Sequence, residues 1–439
     1  MNQVEGKRSN GWLTLFLQED WWAVWLGFMI IIGAALGRLS SPVLPSRWGR
    51  EGAETIFSSV PPGIITGIIL TGIIAFILFG ISTIASCKKE MRSYIIGFPV
   101  VFLIAVLAEL LGNYAPLRHY GINNVIWALA LGLLISNTVK TPQAIKGAMR
   151  TELFIKTGLV LLGASILFNR MLSLGALGLG VAWLVTPVVL VFMYWFSQKY
   201  LKMQDQKGLA ISIASATSVC GVSAAIAAGT AAKAKKEEIT LAISITLIFT
   251  VLMMIGMPIV IKVVGMDPIV GGAWLGGTID ATGAVVASAA LLGEEALQVA
   301  SVIKMVQNIL IGVIAFIIAV IWVTVPEKSS GKAKVSLVEI WVRLPKFILG
   351  FIAASLIFSF VIPAGTVSAS SGIINGYRDF FFTLAFVSIG LDSNFRDMAR
   401  LVKGGSPVKL YLVGQTFNLA LTLLAAYVFF GGRFFPLPF

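Results

Sequence analysis

The chain has 439 residues, of which 57% are hydrophobic and only 12% are charged. A soluble domain carries roughly 25% charged residues, so this chain cannot cover a water-facing surface of its own size. Two cysteines and one histidine exclude a disulfide scaffold, a histidine-based metal site and a Ser-His-Asp triad. The net charge of +13 becomes a question of where the 33 basic residues fall.

A membrane-crossing helix needs about 20 mostly apolar residues, because the hydrocarbon core is roughly 30 Å thick. Residues 1–21 read as a cytoplasmic or interfacial N-terminus, with Trp12-Leu13-Thr14-Leu15-Phe16-Leu17 as an amphipathic segment. The run from Trp21 lacks a small-residue cleavage site and reads as a first anchor. In chain order, spans are predicted over 22–38, 63–84, 94–112, 122–138, 151–168, 172–197, 238–264, 300–324, 338–361, 374–393 and 406–430, about eleven in all. The fold class is therefore an all-α polytopic membrane protein, with residues 1–439 forming a single integral membrane domain. The stretch 326–337 is the one clearly flexible inner linker.

Two further apolar stretches, 208–230 and 270–292, are rich in Gly, Ala, Ser and Thr. Treated as an inner and an outer re-entrant hairpin, with the N-terminus cytoplasmic, they leave 22 basic residues in inner loops, 6 in outer loops and 5 within spans. That distribution obeys the positive-inside rule. A full crossing by each stretch would instead put Lys233, Lys235 and Lys236 outside. The flanks agree: lysines border 208–230, whereas Asp267, Glu294 and Glu295 border 270–292. The positive charge is thus topology and headgroup attraction, and no basic soluble domain remains to bind nucleic acid.

The first hairpin centres on Ser215, Thr217, Ser218, Cys220, Gly221 and Ser223, the second on Gly277, Thr278, Asp280, Thr282 and Gly283. Irregular backbone at membrane depth persists only where protein buries it or water lines it. Breaking a helix there frees N–H groups that suit an anion and C=O groups that suit a cation. Two breaks entering from opposite faces are the pattern of a transporter's binding site. Close packing of small residues is the plainer explanation; it accounts for the alanines and glycines and less well for six hydroxyl or carboxyl groups. Asp280, at the second tip, can hold a proton or sodium ion, or merely cap the following half-helix. Lys304 can attract an anion, pair with Asp280, or extend to the headgroups. Gln307 and Asn308, like Gln415 and Asn418 in the last span, can continue a polar face or make interhelical hydrogen bonds. Glu109, Glu152, Lys156, Arg378, Asp379 and Asp392 lie nearer span ends, where anchoring or local pairing is expected. His119 reads as a surface residue.

Two short echoes point to inverted repeats: Leu131-Gly132-Leu133-Leu134-Ile135-Ser136 with Leu349-Gly350-Phe351-Ile352-Ala353-Ala354-Ser355, and Leu162-Gly163-Ala164-Ser165 with Val387-Ser388-Ile389-Gly390-Leu391. The chain resembles the YeiH-type family of proposed sulfate exporters, within the cation/proton antiporter and anion transporter superfamily. The resemblance covers most of the chain. It rests on Ser218-Val219-Cys220-Gly221-Val222-Ser223-Ala224, on Gly277 through Ala287, on Val302-Ile303-Lys304-Met305 and on Leu161 through Ser165. It implies inverted repeats, a scaffold and a transport domain, elevator-like movement and a homodimer. Many relatives carry a histidine at or beside the Asp280 position. This chain does not, which leaves coupling to Asp280 or to another arrangement.

These observations lead to a secondary active transporter of a small anion such as sulfate, a related sulfur oxyanion or a sulfonate, working by alternating access. The expected site comprises Ser215, Thr217, Ser218, Cys220, Gly221, Ser223, Gly277, Thr278, Thr282 and Gly283, with Asp280, Lys304 and Asn308 for charge or coupling. No metal or organic cofactor is expected, only a coupling proton or sodium ion, in a bacterial inner membrane. A sodium- or proton-coupled carrier of organic acids or amino acids uses the same design. An ion channel would need repeated filter sequences, and an intramembrane enzyme would need paired catalytic residues. Nothing matches the P-loop pattern, so ATP drive within this chain is not expected.

Overall fold

A computed structural model describes residues 14–49, 55–56, 59–119, 122–324, 338–397 and 405–438. The linker expected at 326–337 lies outside these residues, as do Lys7, Arg8, Arg50, Lys328, Lys332, Lys334, Arg400 and Lys403. The described chain is all-helical; its one extended pairing is an isolated bridge between Trp48 and Tyr114. In chain order the main helices are α1 (Glu19–Ala35), α2 (Pro62–Cys87), α3 (Met91–Gly112), α4 (Asn124–Thr138), α5 (Thr151–Ser165), α6 (Phe168–Lys199), α7 (Lys207–Ser218) and α8 (Val222–Ala231). They continue with α9 (Lys236–Val264), α10 (Pro268–Thr278), α11 (Thr282–Ala290), α12 (Glu294–Thr324), α13 (Phe347–Phe360), α14 (Ala364–Asp392) and α15 (Ser406–Phe430).

Among the described residues, five helical stretches are long and apolar enough to cross a membrane: Pro62–Gly112, Phe168–Lys199, Lys236–Val264, Glu294–Trp322 and Ser406–Phe430. The first joins α2 to α3 through a 3-10 turn at Lys88–Glu90. On α2, Ile65, Ile69, Ile73, Ile77, Ile81 and Ile84 form an exposed stripe at helical spacing. A contiguous apolar surface of this kind is tolerated against lipid and not against water.

The chain divides into two compact units. The first comprises residues 1–167 and 346–392, the second residues 168–345 and 393–439. In the first unit α14 packs on α4 and α5, while α13 packs on α5. At the crossing of α4 and α14 the backbones touch: a Cβ on Gly132 would lie 2.6 Å from the Val387 carbonyl, and one on Gly390 2.7 Å from the Leu129 carbonyl. Ser136 donates to the Gly390 carbonyl (2.9 Å), and Ser355 of α13 to the Ile166 carbonyl (2.6 Å). At one end of this unit Arg150 pairs with Glu19 (2.7 Å) and Glu90 (3.2 Å), and Lys156 with Asp20 (2.9 Å) and Glu152 (3.3 Å). Buried Glu109 accepts from Asn124 (2.8 Å) and Thr383 (2.6 Å), and Arg378 pairs with Asp379 (2.8 Å). Glu109, Glu152, Lys156, Arg378 and Asp379 are thus locally partnered.

The second unit holds both polar stretches, each folded back on itself. Across the first, a Cβ on Gly229 of α8 would meet Ser212 Oγ of α7 at 2.6 Å, and one on Gly208 would meet Ala234 Cβ at 2.8 Å. Residues 17 or more apart in sequence sit side by side, which a broken but straight helix rising 1.5 Å per residue does not permit. In the second stretch Gly271 lies against Leu292 in the same way, at 3.3 Å. Helix α10 then lies backbone-close on α12, where Cβ atoms on Gly272 and Gly276 would each fall 2.7 Å from the Ala296 and Ala300 carbonyls. Small residues therefore do serve close packing here, along the legs of the hairpins.

Candidate functional site

The two hairpin tips meet. The first helix ends at Ser218 and the chain turns at Gly221, whose φ of +59° is a left-handed conformation that favours glycine. A Cβ on Gly221 would lie 3.2 Å from the Asp280 carbonyl oxygen, so the turn presses directly on the second tip. Each break frees the last carbonyls of one half-helix and the first N–H groups of the next. The two sets are treated differently.

Three side chains take the carbonyls, each bridging one hairpin to the other. Lys304 Nζ donates to the Val219 carbonyl, to the Ile279 carbonyl (2.7 Å) and to Gln307 Oε1 (2.7 Å). Gln307 Nε2 donates to the Ser218 (3.0 Å) and Gly277 (3.2 Å) carbonyls. Asn418 Nδ2 reaches the Thr217 (3.2 Å) and Thr278 (3.5 Å) carbonyls. Thr186 adds a donor to the Ser218 carbonyl (3.1 Å), and Gln415 one to the Thr278 carbonyl (3.2 Å). Carbonyls 217, 218 and 219 of one tip and 277, 278 and 279 of the other are thus closed by donors from α6, α12 and α15. Lys304, Gln307, Asn308 and Asn418 are all buried.

The N–H groups are left open. Neither α8 nor α11 has a side chain capping its first turn. By contrast, α10 is capped by Asp267, which accepts from the Ile269 (2.8 Å) and Val270 (3.4 Å) amides. At the uncapped ends Ser223 is exposed, and Val222, Ala281 and Thr282 are partly so. Thr282 Oγ1 accepts from Asn308 Nδ2 (3.1 Å), and Asn308 Oδ1 is buried without a partner.

Asp280 lies between these features, fully enclosed. Its Oδ2 accepts from the Tyr411 hydroxyl at 2.5 Å, and its Oδ1 has no partner. Lys304 makes no ion pair with it; the ammonium's three protons go to carbonyl-type oxygens instead. Lys304 thus ties the two breaks together through the Val219 and Ile279 carbonyls.

The remaining expected residues take mixed positions. The hydroxyls of Thr217 and Ser218 donate back to the Ile213 (2.9 Å) and Ala214 (2.6 Å) carbonyls of their own helix. Ser215 Oγ and Thr278 Oγ1 are buried and unpartnered. Cys220 is buried in an apolar cluster with Val219, Ala224 and Ile311. Gly277 packs against Thr422 and Val181, and Gly283 is buried in the first turn of α11. Two contributors were not expected, Thr186 and Tyr411. Tyr411, Gln415, Asn418 and Thr422 recur at i, i+4, i+7 and i+11, one helical face of an otherwise apolar span. That spacing is readable without a structure. Among the described residues no group of His, Cys, Asp and Glu is placed to hold a metal ion.

The family model described as conserved hypothetical protein 698 matches residues 96–405. A UPF0324 membrane protein of Rhodopirellula baltica is 48% identical over 392 residues, covering 88% of this chain and 71% of the relative. The chain belongs to the UPF0324 membrane protein family, the YeiH-type family. A second family member, from Nitratidesulfovibrio vulgaris, is 51% identical over 350 residues, and this chain spans 60% of its length. A more distant UPF0324 membrane protein of Nitrosomonas europaea is 27% identical over 465 residues, with 92% and 93% of the two chains covered. No solved structure matches the chain. With relatives so named and, among the described residues, five helical stretches long and apolar enough to cross a membrane, this is a multi-pass membrane protein.

Proposed function

We propose that the chain is a secondary transporter of a small anion, a sulfur oxyanion or sulfonate being the leading class. One observation carries this reading: at the paired breaks the cation-attracting carbonyls are occupied by the protein's own donors, while the anion-attracting N-termini of α8 and α11 are uncapped and accessible. A site for a metal cation needs the opposite arrangement. Ser223, Thr282 and the first-turn amides would receive the anion. Asp280, two residues before the uncapped first turn of α11, would oppose an anion when ionised and admit it when protonated, which links anion binding to a proton.

Both hairpins belong to the second unit; in this reading that unit is the carrier and the first unit the scaffold of an alternating-access, elevator-like cycle. The first unit supports an inverted repeat. The segment around Gly132 contacts that around Gly390, and the segment around Gly163 contacts Phe351. Each echo thereby packs on the partner of the other, as a two-fold operation requires. The further elements of the reading are transport without catalysis, an inner membrane with the N-terminus cytoplasmic, and a homodimer.

The test is a thermal-shift titration of sulfate, sulfite and small sulfonates at two pH values, with and without sodium. Binding to the folded state raises the melting temperature with log concentration. The reading expects an anion-specific rise that is larger at the lower pH. A rise that requires sodium and responds to carboxylates or amino acids would replace it with a coupled organic-acid carrier, and sodium-dependent currents in liposomes would support that replacement.

A further inference from the structure

Away from the tips, α6 and α12 diverge to leave a groove of about 1020 Å³ in the second unit. Its walls are Trp183, Leu190 and Val191 from α6 and Ile317, Ile321 and Trp322 from α12; its floor includes Ile211 of the first hairpin. Among the described residues no carboxylate lines it, and the charged residues that do are Lys199, at the end of α6, and Lys207, at the start of α7. Both lysines are exposed, and among the described residues neither forms an ion pair; Lys199 lies 5.2 Å from the Trp195 ring centre. From Trp183 to Lys199 the groove follows 16 residues of α6, about 24 Å. That exceeds half of the ~30 Å hydrocarbon core.

We infer that this groove is a binding site for an anionic phospholipid. The phosphate sits against Lys199 and Lys207, and an acyl chain runs along α6 and α12. Three features specify that occupant. The cavity is apolar and concave along its length, its polarity is confined to one end, and that end is basic with an aromatic rim (Tyr194, Trp195 and Trp322), the composition of an interfacial headgroup site. Because Ile211 and Ile318 also pack with Ala228 and Ala232 of the first hairpin, the lipid touches the hairpin leg from behind. Lipid occupancy thereby bears on hairpin stability, whatever the protein carries.

The experiment uses the full chain in nanodiscs of phosphatidylcholine or phosphatidylglycerol, followed by native mass spectrometry and melting. Two lysines beside an anionic headgroup correspond to about a 30-fold preference for phosphatidylglycerol. The wild type should retain that lipid and melt higher in it. Lys199→Gln with Lys207→Gln should abolish the preference, and Ile314→Trp, which fills the groove, should lower retention of both lipids. Equal retention of the two lipids by the wild type overturns the proposal, as does a preference that survives the double substitution. So does disulfide capture of an Ile317→Cys variant as a homodimer, since the groove then belongs to a second copy.

Discussion

Removing Lys304 is the sharpest test of how the paired breaks hold together. A Lys304→Ala change deletes the one donor shared by the Val219 and Ile279 carbonyls and also frees Gln307 Oε1. Gln307 can turn, but the two backbone carbonyls are fixed in tips that press on each other at Gly221 and Asp280. Each buried acceptor left without a donor costs about 1–3 kcal/mol, so the two together cost about 2–6 kcal/mol. Native stabilities are about 5–15 kcal/mol, and the variant should lose a large share of its margin. The assay is melting in detergent with added amines. Methylammonium brings three N–H donors on a body small enough for the vacated side chain and should restore most of the lost melting temperature. Tetramethylammonium, a cation with no hydrogen-bond donor, should restore none, and the wild type should respond to neither. If Lys304→Ala melts like the wild type, or if tetramethylammonium rescues as well as methylammonium, Lys304 is not the tie between the breaks. Should the alanine variant fail to accumulate, Lys304→Gln keeps two donors and answers the same question.

Further outcomes follow from the same geometry. Ser223→Asp places a carboxylate in the uncapped first turn of α8, so it should stabilise the fold by about 0.3–1 kcal/mol while weakening anion binding; a rise in both quantities would place the anion elsewhere. Asp280→Asn keeps an acceptor for Tyr411 but removes the titration. In the wild type the anion should dissociate as pH rises through ionisation of Asp280, and in the variant affinity should stay flat with pH. Gln307→Leu removes both the donor to the Ser218 and Gly277 carbonyls and the acceptor for Lys304 Nζ, so it should melt lower than the wild type. In the first unit, Gly390→Ala drives a Cβ to 2.7 Å from the Leu129 carbonyl and should cost about 1–3 kcal/mol in melting experiments.

The fold class and the two hairpins were legible because lipid and water impose opposite compositions. Lysines at both ends of 208–230 and carboxylates around 270–292 marked which stretches return to the side they leave. What the hairpins contain was harder to read. The hydroxyls of Thr217 and Ser218 look like ligands in the sequence, yet a threonine or serine within a helix satisfies itself on the carbonyl four residues back. For Lys304 the sequence left anion attraction, pairing with Asp280 and extension to the headgroups all open, because it shows a charge and not its partners; two of its three partners are backbone carbonyls, which no side-chain pattern encodes. The stripe Tyr411, Gln415, Asn418 and Thr422 did carry a signal, its helical spacing, but the hairpins it serves lie more than a hundred residues upstream. The division into two units at Leu167 and Lys346 leaves no composition shift at all, since both units meet lipid.

The asymmetry at the tips also bears on what the protein can discriminate. Two helix breaks expose equal numbers of donors and acceptors, so the bare backbone has no preference between anions and cations. In the proposed function the preference comes from α12 and α15, whose lysine and amides fill the acceptor half and leave the donor half vacant. Selectivity of this kind is indirect: the residues that set it do not touch the ligand. A variant that empties the acceptor half without collapsing the tips should therefore gain affinity for a small cation as it loses stability. Asn418→Leu is the mildest such change, since Gln415 still supplies the Thr278 carbonyl and only the Thr217 carbonyl is left open. Isothermal titration of that variant with sodium, against the wild type at equal ionic strength, measures the switch. Absence of any new cation binding would mean that the filled carbonyls matter for cohesion alone, and that the choice of anion rests wholly on the uncapped amides of α8 and α11.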